Sequence, residues 1–168
     1  PRMLVWGGRH REGDMEVRGR RYPRYRVWHP LDHVAIRYAR RLPDGSVGPG
    51  AVIHLQEVLG RNPHYAVDVQ TRIEKLDEDG FVHLPALHGL EVARLEYTFR
   101  RVPAGTLYEN SLIVGQPGAL GRLLTRALSP FAFPAGTGEA WLKHNIEEVG
   151  MFENFLPDLY RAETGSSG

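Results

Sequence analysis

His144 and Glu148 stand four residues apart in the run Trp141-Leu-Lys-His-Asn-Ile-Glu-Glu148. At 100° per residue they fall 40° from each other on one helical face, one turn apart, so both can reach a single ion. A His–Glu pair at this spacing is also an ordinary surface contact, and further ligands must decide its meaning. Glu57 supplies one. In Ala51-Val-Ile-His-Leu-Gln-Glu-Val-Leu59, period-two alternation puts Ala51, Ile53, Leu55 and Leu59 on one face and Glu57 among them. A carboxylate buried there costs several kcal/mol unless it is paired or binds a cation. The segment Trp28-His-Pro-Leu-Asp-His33 adds two imidazoles. His33 is the preferred ligand and His29 its rival, because Pro30 biases His29 toward an extended or helix-capping conformation from which it can point either way. His33, Glu57, His144 and Glu148 form an N₂O₂ set suited to Zn²⁺, with Fe²⁺ or Mn²⁺ as the other candidates. The chain has no cysteine, so a thiol nucleophile, a disulfide framework and a Cys-type zinc site are excluded.

These residues need elements to position them. Pro43-Asp44-Gly45 and Gly48-Pro49-Gly50 separate two candidate strands, Asp77 to Gly80 ends a third, and Pro103-Ala104-Gly105 joins a fourth to a fifth, which predicts an antiparallel meander. Val67, Val69 and Ile73 alternate with polar residues, as do Leu95, Tyr97 and Phe99, so each strand has one wet face. Helical periodicity is weak over 119–128 and strong over 138–160. There Thr137 is the expected N-cap, and Leu142, Ile146, Val149, Phe152, Leu156 and Leu159 make an apolar stripe. With Leu142 at zero, the stripe spans roughly 260° to 40°, while His144 and Glu148 sit near 200° and 240°, bordering the buried face. The expected fold is α+β, a curved antiparallel sheet gripping a long C-terminal helix, with a cavity between the two.

With 168 residues, 42% of them hydrophobic, the chain is expected to form one domain over 1–163, with a short Arg-rich lead and a flexible tail at 164–168. No stretch approaches the roughly 20 apolar residues of a membrane span, and no secretory apolar run opens the chain, so a soluble, cytoplasmic protein is expected. Residues 1–26 carry eight arginines against Glu12, Asp14 and Glu16, a surplus of five positive charges. A basic arm can mark nucleic-acid binding. Here 19 of the 21 basic residues in the whole chain are arginine, which reads as compositional bias, and no nucleic-acid or membrane partner is expected.

Several residues have plainer readings. His10, His64 and His83 read as surface or turn histidines, and His54 faces away from Glu57. Trp141, Phe152 and Phe155 read as helix core, with Phe155 near enough to the His144 edge to line a cavity. Ser129-Pro-Phe-Ala-Phe133-Pro reads as a loop whose phenylalanines plug the core or cap the pocket.

The run from Tyr25 to His33, the strand carrying Glu57, the Gly80-Phe-Val-His83 turn and the His144…Glu148 helix resemble the 2,4-diacetylphloroglucinol hydrolase family, which includes phloretin hydrolase. The resemblance covers about residues 22 to 160, and its most specific parts are W-H-P-x-D-H and H-x-x-x-E. It implies a Bet v 1-like helix-grip domain that binds zinc through His33, Glu57, His144 and Glu148. The implied reaction is hydrolysis of the carbon–carbon bond between a phenolic ring and an acyl group. Tyr25 and Tyr108 match family tyrosines that bind substrate phenols. Tyr97 falls where the family has a central-strand histidine, so proton transfer passes to Tyr97, to His88 or to another route. The implied partner is a small aromatic molecule, and family members tend to form homodimers. The alternative from a different class is a non-catalytic helix-grip protein that binds an aromatic or polyketide-like ligand.

Overall fold

The structure, a computed structural model, describes residues 1–115, 118 and 133–165. The stretch 119–128, the loop residues 129–132 and the tail beyond Gly165 lie outside the described residues. The chain opens with helix α1 (Arg2–Arg9), a hairpin of β1 (Asp14–Val17) and β2 (Arg20–Pro23), and the short helix α2 (Arg24–Trp28). A meander follows: β3 (His33–Arg40), β4 (Val52–Val58), β5 (Ala66–Asp77), β6 (Gly80–Leu87), β7 (Leu90–Glu91), β8 (Ala93–Val102) and β9 (Gly105–Val114). Its spatial order is β3-β4-β5-β6-β8-β9, with β7 paired to β6 and every pairing antiparallel. The turns fall where the Pro-Gly and Asp-Gly clusters predict. Gly80 starts β6 so close to β8 that a Cβ there would lie 2.2 Å from the Tyr97 carbonyl oxygen, and only glycine fits.

The chain ends in two helices, α3 (Thr137–Phe152) and α4 (Leu156–Thr164), where one is predicted. Pro157 is the reason: it lacks the N–H an uninterrupted helix needs, so it sits in the first turn of α4 instead. Gly136, not Thr137, occupies the N-cap of α3, and α4 runs through Thr164, just into the expected tail.

The larger core cluster lies along the sheet, with Ile53, Ile73, Leu76 and Phe81 nearly inaccessible to solvent. A second cluster joins Met15 and Trp28 to Phe152, Phe155 and Leu156. Gly7 of α1 lies flat against Trp28 and Leu156, which seats the N-terminal segment on α2 and α4. The buried face of α3 differs from the predicted stripe. It presents Ala140, His144, Asn145, Glu148 and Phe152 inward, while Leu142 and Ile146 are 51% and 66% exposed. The inward face is thus rotated by roughly 90–100° from the apolar stripe. It lines a cavity against the sheet, and Asn145 fixes its orientation by accepting a 3.0 Å hydrogen bond from Asn110 of β9. No helix among the described residues is long and apolar enough to cross a membrane.

This burial pattern predicts opposite outcomes for two isoleucines. Ile73→Ala, at a fully buried site, is expected to cost about 2–5 kcal/mol, and Ile146→Ala to stay within about 0.5 kcal/mol, both read from urea unfolding.

Candidate metal centre and cavity

The turn between α2 and β3 begins the site. In His29-Pro-Leu-Asp-His33 the His33 N–H bonds the His29 carbonyl at 3.0 Å, and the Asp32 N–H bonds His29 Nδ1 at 3.1 Å. His29 is therefore committed inside the turn. Its Nδ1 accepts, and its Nε2 lies 3.2 Å from Glu147 Oε2. The geometry thus favours His33 over its rival. Asp32, which sequence reasoning passes over, is almost wholly buried. Its carboxylate receives the N–H of Gly60 at 2.8 Å and of Arg61 at 3.2 Å, and lies 3.0 Å from His144 Nδ1. Gly60 and Arg61 both have positive φ, which aims their successive N–H groups at one anion. Burial opposes the Asp32 charge, but the Gly60 and His144 hydrogen bonds outweigh it and hold the carboxyl below its usual range.

These contacts set both imidazole tautomers. An ionised carboxylate only accepts, so His144 carries its proton on Nδ1 and turns Nε2 inward. His33 behaves likewise: its Nδ1 lies 2.6 Å from the Tyr25 carbonyl oxygen, leaving Nε2 as the free nitrogen. That Nε2 is 3.7 Å from Glu57 Oε1 and 3.8 Å from Glu148 Oε1. The pairing register accounts for the first contact, since His33 and Glu57 are direct cross-strand partners of β3 and β4. Tyr25 holds both of them, stacking on the His33 ring at 3.8 Å and donating its hydroxyl to Glu57 Oε1.

Ligand atoms of His33, Glu57 and His144 all lie within 4.8 Å of one another, and Glu148 stands beside them. Four ligands around a tetrahedral ion at about 2 Å are about 3.3 Å apart, so a modest contraction closes the set. These buried groups could hold a metal ion. A second triad of His29, Asp32 and His144 meets the same distance criterion; there Asp32 is held by Gly60, Arg61 and His144 Nδ1, while His29 Nε2 is buried with no hydrogen-bond partner among the described residues. Electrostatics agree with a cation-seeking centre. Burial and the neighbouring Glu57 raise the Glu148 pKa, against the pull of His144 and Arg11. Burial and His144 push His33 well down, so it stays a neutral imidazole with Nε2 free to accept a cation.

The centre opens into a cavity of about 160 Å³ between α3 and the sheet, room for one aromatic ring. Tyr97 and Tyr108 line it, and neither hydroxyl has a protein hydrogen-bond partner among the described residues. Burial raises both phenol pKa values, keeping them as donors. Trp141 and Phe133 add to the wall, so Trp141 is more than helix core, while Phe155 packs in the second cluster away from it.

Two histidine assignments are corrected. His88 sits at φ 49° in the exposed turn between β6 and β7 and does not line the cavity, so it has no place in the candidate site. His83, read as a turn residue, lies on the central strand β6, is buried, and lines the cavity. It stacks on Phe81 and on Tyr97, with Nδ1 2.7 Å from Thr71 Oγ1. Burial and the nearby Arg11 charge lower its pKa to about 3.

No protein-family model matches this chain, and no curated protein matches it in sequence. The family resemblance therefore stands on the quoted motifs alone.

Two measurements test the site. The unfolded chain binds a proton on His83 below its ordinary pKa near 6.5, whereas the folded chain does not until about 3. Stability is thus lost as pH falls, by about 2 kcal/mol between pH 7 and 5 from this group, and His83→Gln should remove that share of the acid sensitivity in denaturant titrations. Asp32→Asn, which ends the anionic hold on His144, should weaken divalent-metal affinity about 10–100-fold in chelator competition while the fold persists.

Proposed function

We propose that this protein is a metal-dependent hydrolase, with zinc as the metal, that cleaves the carbon–carbon bond between a polyphenol ring and an acyl group on a Bet v 1-like helix-grip scaffold. The observation that carries this reading is the inward convergence of two imidazoles, each fixed through Nδ1 so that Nε2 faces Glu57 and Glu148 at the mouth of a ring-sized cavity. The residues fit a cation: hard oxygen and imidazole donors, partly desolvated and short of positive charge.

When bound, the ion supplies Lewis acidity to a carbonyl oxygen and to water. The protein supplies the rest. The stacked faces of Phe81, His83 and Tyr97 offer a surface for the ring, and the Tyr97 and Tyr108 hydroxyls donate to its oxygens. Tyr97 stands where the resemblance puts the family's central-strand histidine, and His83, on β6 and stacked beside it, is the imidazole that in this reading takes over its part. Its imidazole is neutral at pH 7, with Nε2 left for the ligand once Nδ1 pairs with Thr71. In the reaction the hydroxyl of water joins the acyl carbon, the ring–acyl bond breaks with its electron pair kept by the ring carbon, and that carbon takes a proton. The products are a carboxylic acid and the deacylated ring. A 1,3-hydroxylated ring favours the step because its electron-rich ring carbon takes the proton, passing through the keto tautomer.

Elemental analysis of purified protein should find about one metal ion per chain, lost in His144→Ala and Glu148→Ala. With monoacetylphloroglucinol, the metal-loaded protein should release phloroglucinol and acetate, and Glu57→Ala should cut the rate at least about 100-fold. Folded protein that holds no metal, or Glu57→Ala turning over like the parent, overturns the proposal.

A further inference from the structure

Arg11 belongs to the arginine-rich lead, yet it does not behave like its neighbours. Arg2, Arg21 and Arg24 reach Glu78, Asp14 and Glu163 on the surface. Arg11 turns inward and lines the cavity together with Glu57, His83, Tyr97 and Glu148. Its guanidinium lies 4.9 Å from the Trp28 ring centroid and 5.1 Å from that of Phe81. Its backbone N–H is tied to the Tyr38 hydroxyl at 3.2 Å, which anchors the segment to β3. Among the described residues no carboxylate stands within ion-pair distance of it, and its Nε is buried with no hydrogen-bond partner.

That arrangement is costly in isolation. A charged donor removed from water without an acceptor loses its hydration, and two aromatic faces recover only part of it. Buried donors of this kind are rare in folded proteins and call for a partner. Of the carboxylates that might serve, Asp32 takes Gly60, Arg61 and His144, Glu57 takes the Tyr25 hydroxyl, and Glu148, whose charge favours the guanidinium across the cavity, stands beyond ion-pair distance. A guanidinium presents a planar fork that matches an anionic oxygen or a carboxylate.

We propose that Arg11 is the anion-recognising residue of this cavity, so that the preferred ligand is an aromatic ring bearing an ionised oxygen. The choice of an acylphenol as that ring rests on the hydrolase reading; the anion site itself does not. One chemistry has two sources here, a phenolate of an acylated ring or a ring carboxylate, and the probes separate them.

Affinities for 2,4,6-trihydroxybenzoate, for 2,4,6-trihydroxyacetophenone above its first phenol pKa and for neutral phloroglucinol would be measured by calorimetry after chelation, where the acetophenone, itself the proposed substrate, is not turned over, and for the benzoate and phloroglucinol also on the protein as purified. At least one anionic probe should bind about tenfold or more tighter than phloroglucinol. Arg11→Gln should erase that ratio, and Arg11→Lys, which keeps the charge but not the fork, should retain part of it. A preference confined to the benzoate assigns a carboxylate, one confined to the acetophenone assigns a phenolate, and each supports the site. Equal binding of anionic and neutral probes by the parent protein overturns it, as does an unchanged ratio in a folded Arg11→Gln. The benzoate-to-phloroglucinol ratio is read with and without metal, so a metal-loaded protein that hydrolyses no acylphenol while the ratio stands would sink the hydrolase reading and leave the anion site standing.

Discussion

The carboxylate of Asp32 is the joint on which the rest of the site turns. Three segments distant in sequence meet on it: the turn leading into β3, the glycine turn after β4 and the middle of α3. The first carries the carboxylate, the second gives it two backbone N–H groups and the third the His144 Nδ1–H, so the energy of burying the charge is offset only when all three are in place. The same contact decides which nitrogen of His144 faces inward. A structural requirement, satisfying a buried anion, thereby becomes a chemical one, presenting a lone pair to the cavity. Because the Val58 N–H also bonds the Asp32 carbonyl, the register that sets Glu57 opposite His33 is held by the same residue.

From that joint the helix orientation follows. An apolar stripe normally decides which face of a helix is buried. In α3 the stripe loses at Leu142 and Ile146, because His144 is bound to Asp32 and Asn145 to Asn110 across the cavity. Two directional contacts outweigh two apolar side chains whose burial is worth about 1.5–3 kcal/mol each. The N-terminal segment then closes the other side. Gly7 permits α1 to lie against Trp28, and Arg11 extends from the end of that helix over the same ring.

The parts of the site that were legible in sequence were those with a period. Glu57 stood out because a carboxylate broke an otherwise apolar alternation, and His144 and Glu148 because four residues make one helical turn. The strands whose two faces differ in solvent exposure were legible for the same reason. The strand β6 was not, since Phe81, Val82, His83 and Leu84 are all buried and no alternation distinguishes it from a turn. His83 was missed with it, and the adjacent Phe-Val and Leu-Pro runs were the one available signal. Asp32 was overlooked because its role is to orient a ligand, and no spacing rule points to such a residue. Arg11 was hidden by number: one inward-facing arginine among eight in the lead carries no mark of its own. The break before α4 was readable in principle from Pro157, which an apolar stripe on both sides concealed.

The balance of charge explains why such a site is worth building around a cation. Glu57 and Glu148 both lie near His33 and are largely removed from water, and two anions so placed repel each other more strongly than they would at the surface. The protein's own groups relieve this only in part. Tyr25 gives Glu57 a hydrogen bond, His144 attracts both carboxylates, and Glu148 responds by holding its proton more tightly. Full relief through salt bridges would need a lysine or arginine between them, and that would fill the space where the ligand atoms converge. The chain leaves that space open and keeps its nearest guanidinium, Arg11, at the aromatic wall. A small divalent ion would satisfy both carboxylates and both lone pairs without occupying the cavity beyond, and would leave Arg11 as the positive group facing that cavity, the group on which the proposed preference for an anionic ring depends with or without the metal.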